Sequence, residues 1–148
     1  MFNLYSFFTF FFYPVFVVLI FLRKFINKED RKRYKEKLFS SNLNVKKNNN
    51  KLIWFHAASI GEAQSIIPLV KKITKLQKNT NVLITTISLT SSNLVNKEFK
   101  DNYQVEHRFF PLDVKFLIKK FLSDWKPNIA IFIDSEIWPN FILEINKK

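Results

Sequence analysis

From Leu4 to Leu22 the chain is almost continuously apolar, interrupted by Ser6, Thr9 and Pro14. About 20 such residues cross a bilayer as a helix, so the pattern predicts one transmembrane helix within residues 1–22, with Pro14 as its natural kink. Ser40 to Asn50 is polar and aperiodic and reads as a linker. The pattern then changes. Lys51 to His56 is a short apolar run suited to a buried strand, and Ile66, Ile67, Val70 and Ile73 fall at helical spacing within Ala63 to Leu76. Further strands are predicted at Asn81 to Thr86, Val105 to Phe110 and Ile129 to Ile133. Helices are predicted at Ser92 to Lys97, Val114 to Leu122 and Pro139 to Ile145, the last with proline near its first turn, where it is tolerated. Such alternation predicts an α/β fold: an open, Rossmann-like, mostly parallel sheet with helices on both faces.

At 148 residues there is room for one compact domain behind an anchor. The expected division is an anchor over 1–22, a basic juxtamembrane segment and linker over 23–50, and a domain over 51–148. Charge supports it. The net charge is +12, residues 1–22 carry none of it, and residues 23–50 hold ten basic against three acidic side chains. Basic residues directly after a span place the rest of the chain in the cytoplasm, and Arg23, Lys24, Arg31, Lys32 and Arg33 are candidates to hold anionic phospholipid headgroups. A cleaved signal peptide would need a basic start and a small-residue cleavage site, which the segment lacks. Nucleic-acid binding would need aromatics interleaved with the basic residues outside the anchor, and that pattern is missing. With no cysteine, disulfides and thiolate metal sites are excluded, and no metal-ligand spacing appears.

Sites in an open parallel sheet form where strands lead into helices, and three loops hold candidates there. The first, His56-Ala57-Ala58-Ser59-Ile60-Gly61-Glu62, contains the sole glycine of the chain. Small residues allow another molecule to approach the backbone. Glu62 falls in the first helical turn, where it is either a general base facing a cleft or an acid complementing the helix dipole. His56 is either a strand-end hydrogen-bonding residue or a catalyst. The second loop, Thr85 to Ser92, offers hydroxyls, Thr86 and Thr90 among them, for capping a helix or holding sugar or phosphate oxygens. The third, Asp134-Ser135-Glu136-Ile137-Trp138-Pro139-Asn140, sets two carboxylates beside the most apolar strand.

At these loops the chain resembles the amino-terminal domain of the Kdo transferases, membrane-anchored GT-B glycosyltransferases that use 3-deoxy-D-manno-octulosonic acid. The family's W-x-H-A-A-S-x-G-E appears as Trp54 to Glu62, its P-x-D as Pro111-Leu112-Asp113, and its E-x-W-P-N as Glu136 to Asn140. The resemblance implies inverting transfer of Kdo from CMP-Kdo to the tetraacylated lipid A precursor, lipid IVA, at the bacterial inner membrane, with a single-pass anchor and no cofactor or metal. It implies Glu62 as general base, Glu136 as a second active-site carboxylate, and a substrate pocket shaped by Ser59, Gly61, His56, Thr86 and Thr90. Where the family commonly has Thr-Gly, this chain has Thr90-Ser91, and Asp134 stands where Glu is commoner. The donor binds mainly to a carboxy-terminal domain in this family. The chain alone is therefore expected to be inactive and to work with a separate or downstream donor domain. The alternative is a catalytically inactive membrane-anchored module that binds lipid or a partner.

Overall fold

A computed structural model describes residues 2–39, 50–133 and 138–146. Its order is α1 (Phe2–Phe11), α2 (Tyr13–Phe25), α3 (Lys35–Leu38), β1 (Lys51–Ala57), α4 (Ile60–Leu76), β2 (Thr80–Thr86), α5 (Leu89–Glu98), β3 (Val105–Phe109), α6 (Lys115–Trp125), β4 (Ile129–Phe132) and α7 (Pro139–Ile145). Contacts divide the chain into two units. One gathers residues 1–45, 111–125 and 137–148, the other residues 46–110 and 126–136.

The second unit is a four-stranded, wholly parallel sheet in the order β3-β2-β1-β4, as the alternation predicts. Every strand faces the same way, so β1, β2 and β4 end at one edge of the sheet. His56 pairs with Thr85 on one side and Phe132 on the other, fixing that edge residue by residue. Phe55 and Ala57 face the core formed with Ala63, Ile66 and Val70 of α4, Val82 and Ile84 of β2, and Val95 of α5. The 3-4-4 spacing of Ala63, Ile66, Val70 and Thr74 gives α4 its buried stripe. On the other sheet face the alternate residues Trp54 and His56 are closed in by Phe110 and Phe132. With both faces covered, the second half of β1 is buried throughout, from Trp54 to Ala57.

The first unit does not show the expected transmembrane helix as a single element. The apolar run forms two helices, α1 and α2, bent by 50° at Phe12. No single helix is long and apolar enough to cross a membrane, although the bent pair has the length and composition to do so. Pro14 causes the break: it stands in the first turn of α2, where its missing N–H costs nothing, so a new helix starts there. The basic stretch after α2 is folded. Ile20, Tyr34 and Leu38 form a small core with Val17 and Leu112, and the Tyr13 hydroxyl donates to the Leu38 carbonyl at 2.7 Å. Glu29, 4% exposed, receives Lys37 Nζ at 2.5 Å and Arg23 Nε at 2.9 Å. A buried carboxylate needs such partners.

Candidate functional site

The nine-residue motif from Trp54 to Glu62 crosses from the end of β1 into the start of α4, and its residues divide between two tasks. Trp54 and His56 are enclosed, at 0% and 1% exposure. Both reach Thr85 on the neighbouring strand: Trp54 Nε1 donates to Thr85 Oγ1 at 2.8 Å, and His56 Nδ1 lies 2.9 Å from that oxygen. Burial pushes the His56 pKa down to about 4, so the imidazole is neutral at physiological pH. These side chains pin the sheet edge.

Ser59, Gly61 and Glu62 lie on the outside of the same turn. Ser59 is the N-cap of α4 and accepts the Glu62 backbone N–H at 3.2 Å. Glu62 reaches back and accepts the Ala58 N–H at 2.8 Å through Oε2. The pair is a variant of the capping box, with the carboxylate returning to the residue before the cap. It fixes the direction of the Glu62 carboxylate while leaving Oε1 without a hydrogen bond among the described residues. A Cβ built on Gly61 would meet nothing within 4 Å. Its φ is not left-handed, and the turn therefore makes no internal demand for glycine there.

The hydroxyl loop after β2 is used mainly by its own helix. Ser88 caps α5, accepting the Ser91 N–H at 3.1 Å, and its hydroxyl lies 2.6 Å from that of Ser91 and 3.0 Å from that of Thr90. Thr86 is fully buried, with its hydroxyl 2.9 Å from His107 Nε2, whereas Thr90 is exposed. Ser91 sits inside α5 with no positive φ, so serine in place of the usual glycine is accommodated without backbone strain. Of the five expected substrate-pocket residues, Ser59, Gly61 and Thr90 reach the surface, while His56 and Thr86 are interior supports. Glu136 lies outside the described residues, as do Asp134 and Ser135. Among the described residues no cluster of three or more His, Cys, Asp or Glu side chains is placed to hold a metal.

In the other unit, the two remaining motifs meet. Asp113, 6% exposed, caps α7: its carboxylate accepts the N–H groups of Asn140 at 3.1 Å and Phe141 at 3.0 Å, and the Tyr5 hydroxyl at 3.0 Å. Asn140, fully buried, donates to the Asp113 carbonyl at 2.5 Å and to Thr9 Oγ1 at 3.1 Å, and accepts from the Ser6 hydroxyl. Burial holds the Asp113 carboxyl above its usual pKa, opposed by these donors. Sequence reasoning missed this cluster. Its signal was the polar stripe of Tyr5, Ser6 and Thr9, at helical spacing inside an otherwise apolar run.

The basic candidates are mostly engaged locally. Arg23 pairs with Glu29, Lys24 lies 4.7 Å from the centre of the Tyr34 ring, and Arg33 holds Glu36 with two hydrogen bonds. Arg31 reaches Asn27 at 3.3 Å, and Arg31 and Lys32 remain exposed.

Residues 31–148 match the family model described as 3-deoxy-D-manno-octulosonic-acid transferase (kdotransferase). The chain is 36% identical over 148 residues to the 3-deoxy-D-manno-octulosonic acid transferase of Rickettsia bellii, covering all of this chain and 34% of that protein. It is 30% identical over 183 residues to the transferase of Rickettsia typhi, covering 95% of this chain and 39% of that one. A third relative, the probable mitochondrial transferase of Arabidopsis thaliana, is 36% identical over 92 residues, which are 62% of this chain and 20% of that protein. The chain thus spans little more than a third of the length of the two rickettsial relatives. It belongs to the 3-deoxy-D-manno-octulosonic acid transferase family, of which it carries the amino-terminal domain.

Proposed function

We propose that the chain is the acceptor-side half of an inverting transferase that moves Kdo from CMP-Kdo to a hydroxyl of the tetraacylated lipid A precursor, without metal or cofactor. The observation that carries the reading is Glu62. It is a half-buried carboxylate at the carboxyl edge of a parallel sheet, oriented by the Ala58 N–H, with its other oxygen uncommitted among the described residues. In the proposed step Glu62 takes the acceptor hydroxyl proton as that oxygen attacks the anomeric carbon of Kdo. The bond from that carbon to the CMP phosphate oxygen breaks, and its electron pair leaves with CMP. A sugar hydroxyl is a weak nucleophile, and a positioned base contributes roughly 100- to 10,000-fold.

On this reading Ser59 and Thr90 line the acceptor path, His56 and Thr86 support it from within, and Glu136 supplies a second carboxylate. CMP-Kdo is bound by a second α/β domain, downstream or separate. The apolar α1–α2 pair and its basic neighbours hold the domain at the inner membrane beside its lipid acceptor.

The test is a transfer assay in membranes with CMP-Kdo and the tetraacylated precursor, comparing the chain alone, the chain with a donor domain, and Glu62→Gln in that combination. Transfer that needs both halves and falls at least 100-fold in Glu62→Gln supports the reading. Full transfer by Glu62→Gln removes Glu62 as base. No transfer in any combination, with the precursor still bound, leaves a lipid-binding module.

A further inference from the structure

A long uncharged apolar segment can enter a bilayer in two ways: across it, or within one leaflet. The fastenings of α1 and α2 decide between them. Along α1, Tyr5, Ser6 and Thr9 are hydrogen-bonded to Asp113 and Asn140. At the bend, Phe10 and Tyr13 pack edge-on against Phe116 of α6, at 6.3 and 5.2 Å between ring centres, and Tyr13 is bonded to Leu38. At the far end of α2, Arg23 joins the buried Glu29–Lys37 pair. The segment is therefore held at its start, middle and end by the same folded unit.

That unit cannot follow α1 into hydrocarbon. α6 carries Lys119 and Lys120 with side chains 59% and 50% exposed, and Asp124 beside them. A groove of about 390 Å³ between α1 and α6 is lined by Phe7, Phe10, Val114 and Phe116 but also by Lys115. Charged side chains are costly at the bilayer centre and are stable at headgroup level. A crossing would carry α1, and with it these cations, to the opposite leaflet, or would strip Asp113 and Asn140 of their partners.

The face turned away from the fastenings is different. Phe8, Phe11, Val15, Val18 and Leu22 are 48 to 66% exposed, and their 3-4-3-4 spacing sets them in one stripe, far beyond the scattered apolar residues of a water-facing helix. Lys28, Arg31 and Lys32 stand exposed just past its end. An apolar face bordered by cations matches the hydrocarbon and the headgroups of an anionic leaflet.

We propose that α1 and α2 form a monotopic insertion: a bent pair seated in one leaflet of an anionic phospholipid bilayer, with both ends on the side where the domain lies. This rests on the membrane attachment proposed above and replaces the single crossing expected for it.

The chain has no native cysteine, which makes its topology directly readable. A protease-cleavable tag is placed ahead of Met1 in the Lys120→Cys variant, and sealed inner-membrane vesicles of both orientations are probed with protease and an impermeant maleimide. The expected result is tag cleavage and Lys120→Cys labelling from the same side in each orientation. Cleavage from the opposite side would overturn the inference while leaving membrane attachment and the transfer reaction untouched. A second arm floats the protein with phosphatidylglycerol or phosphatidylcholine vesicles. Preference for phosphatidylglycerol, reduced at least tenfold by Phe8→Ser with Phe11→Ser, is expected, whereas absence of binding to either would overturn both the insertion and the attachment.

Discussion

Gly61 separates what the fold needs from what the site needs. It is the second residue of α4 after its N-cap, its φ is ordinary, and a Cβ added there meets nothing within 4 Å. The chain itself therefore has no steric or backbone reason to keep glycine. Gly61→Ala removes conformational freedom from the unfolded chain without native strain, and should stabilise the domain by about 0.4–1 kcal/mol. The activity should move the other way. The new methyl projects into the open space at the turn that is proposed to shape the acceptor pocket. Displacing a reacting group by about 1 Å costs on the order of 100-fold in rate. The assays are urea denaturation followed by tryptophan fluorescence, and Kdo transfer in the presence of a donor domain. A loss of stability would refute the geometry of the turn. Full activity in a stable Gly61→Ala protein would refute the placing of the acceptor there.

His56 should make stability depend on pH. Its folded pKa of about 4 lies below its ordinary 6.5, so the unfolded state binds more protons between those values and stability falls as pH drops from 6.5 to 4. The loss is on the order of 3 kcal/mol, and denaturant midpoints of the wild type and His56→Phe across that range should diverge; parallel curves would sink the assignment. Asp113→Ala leaves two buried N–H groups of α7 without an acceptor and should cost roughly 2–5 kcal/mol, read as faster amide exchange at Asn140 and Phe141, with unchanged exchange counting against it. Because burial raises the Asp113 pKa, the protonated form is the one folding favours. The stability of the wild type relative to Asp113→Asn should therefore decline as pH rises from about 3.8 through the folded value, and then level off. Ser59→Ala removes the cap of α4 and should cost about 1 kcal/mol in the same denaturation assay, a change within error arguing that the cap is satisfied otherwise.

Much of the sheet was legible because its signals are local. The run from Lys51 to His56, the helical spacing from Ile66 to Ile73, and Pro139 near a helix start each state a preference that neighbouring residues reinforce, and the observed boundaries differ from the predicted ones by a few residues. The N-terminal segment was less legible because composition reports transfer into hydrocarbon and says little about where a helix breaks. The bend at Phe12 follows from Pro14, but the partner α1 packs against, Phe116, lies far along the chain. The site divided in the same way. The motif from Trp54 to Glu62 was visible as a string, but not which of its letters faced inward. The family resemblance implied a substrate pocket that includes His56 and Thr86, yet register sets them against Thr85 and His107 inside the protein.

By itself, then, the sequence determined the strand and helix order, the parallel sheet and the family. Hydrophobic period and short motifs encode these over a few residues each. Only the tertiary structure decided that Asp113 and Asn140 fasten the apolar segment, that Glu29 binds Arg23 and Lys37, and that Ser59 and Ala58 aim Glu62. A polar atom takes its role from the partner that burial leaves within hydrogen-bonding reach, and for Tyr5 that partner is Asp113, more than a hundred residues away.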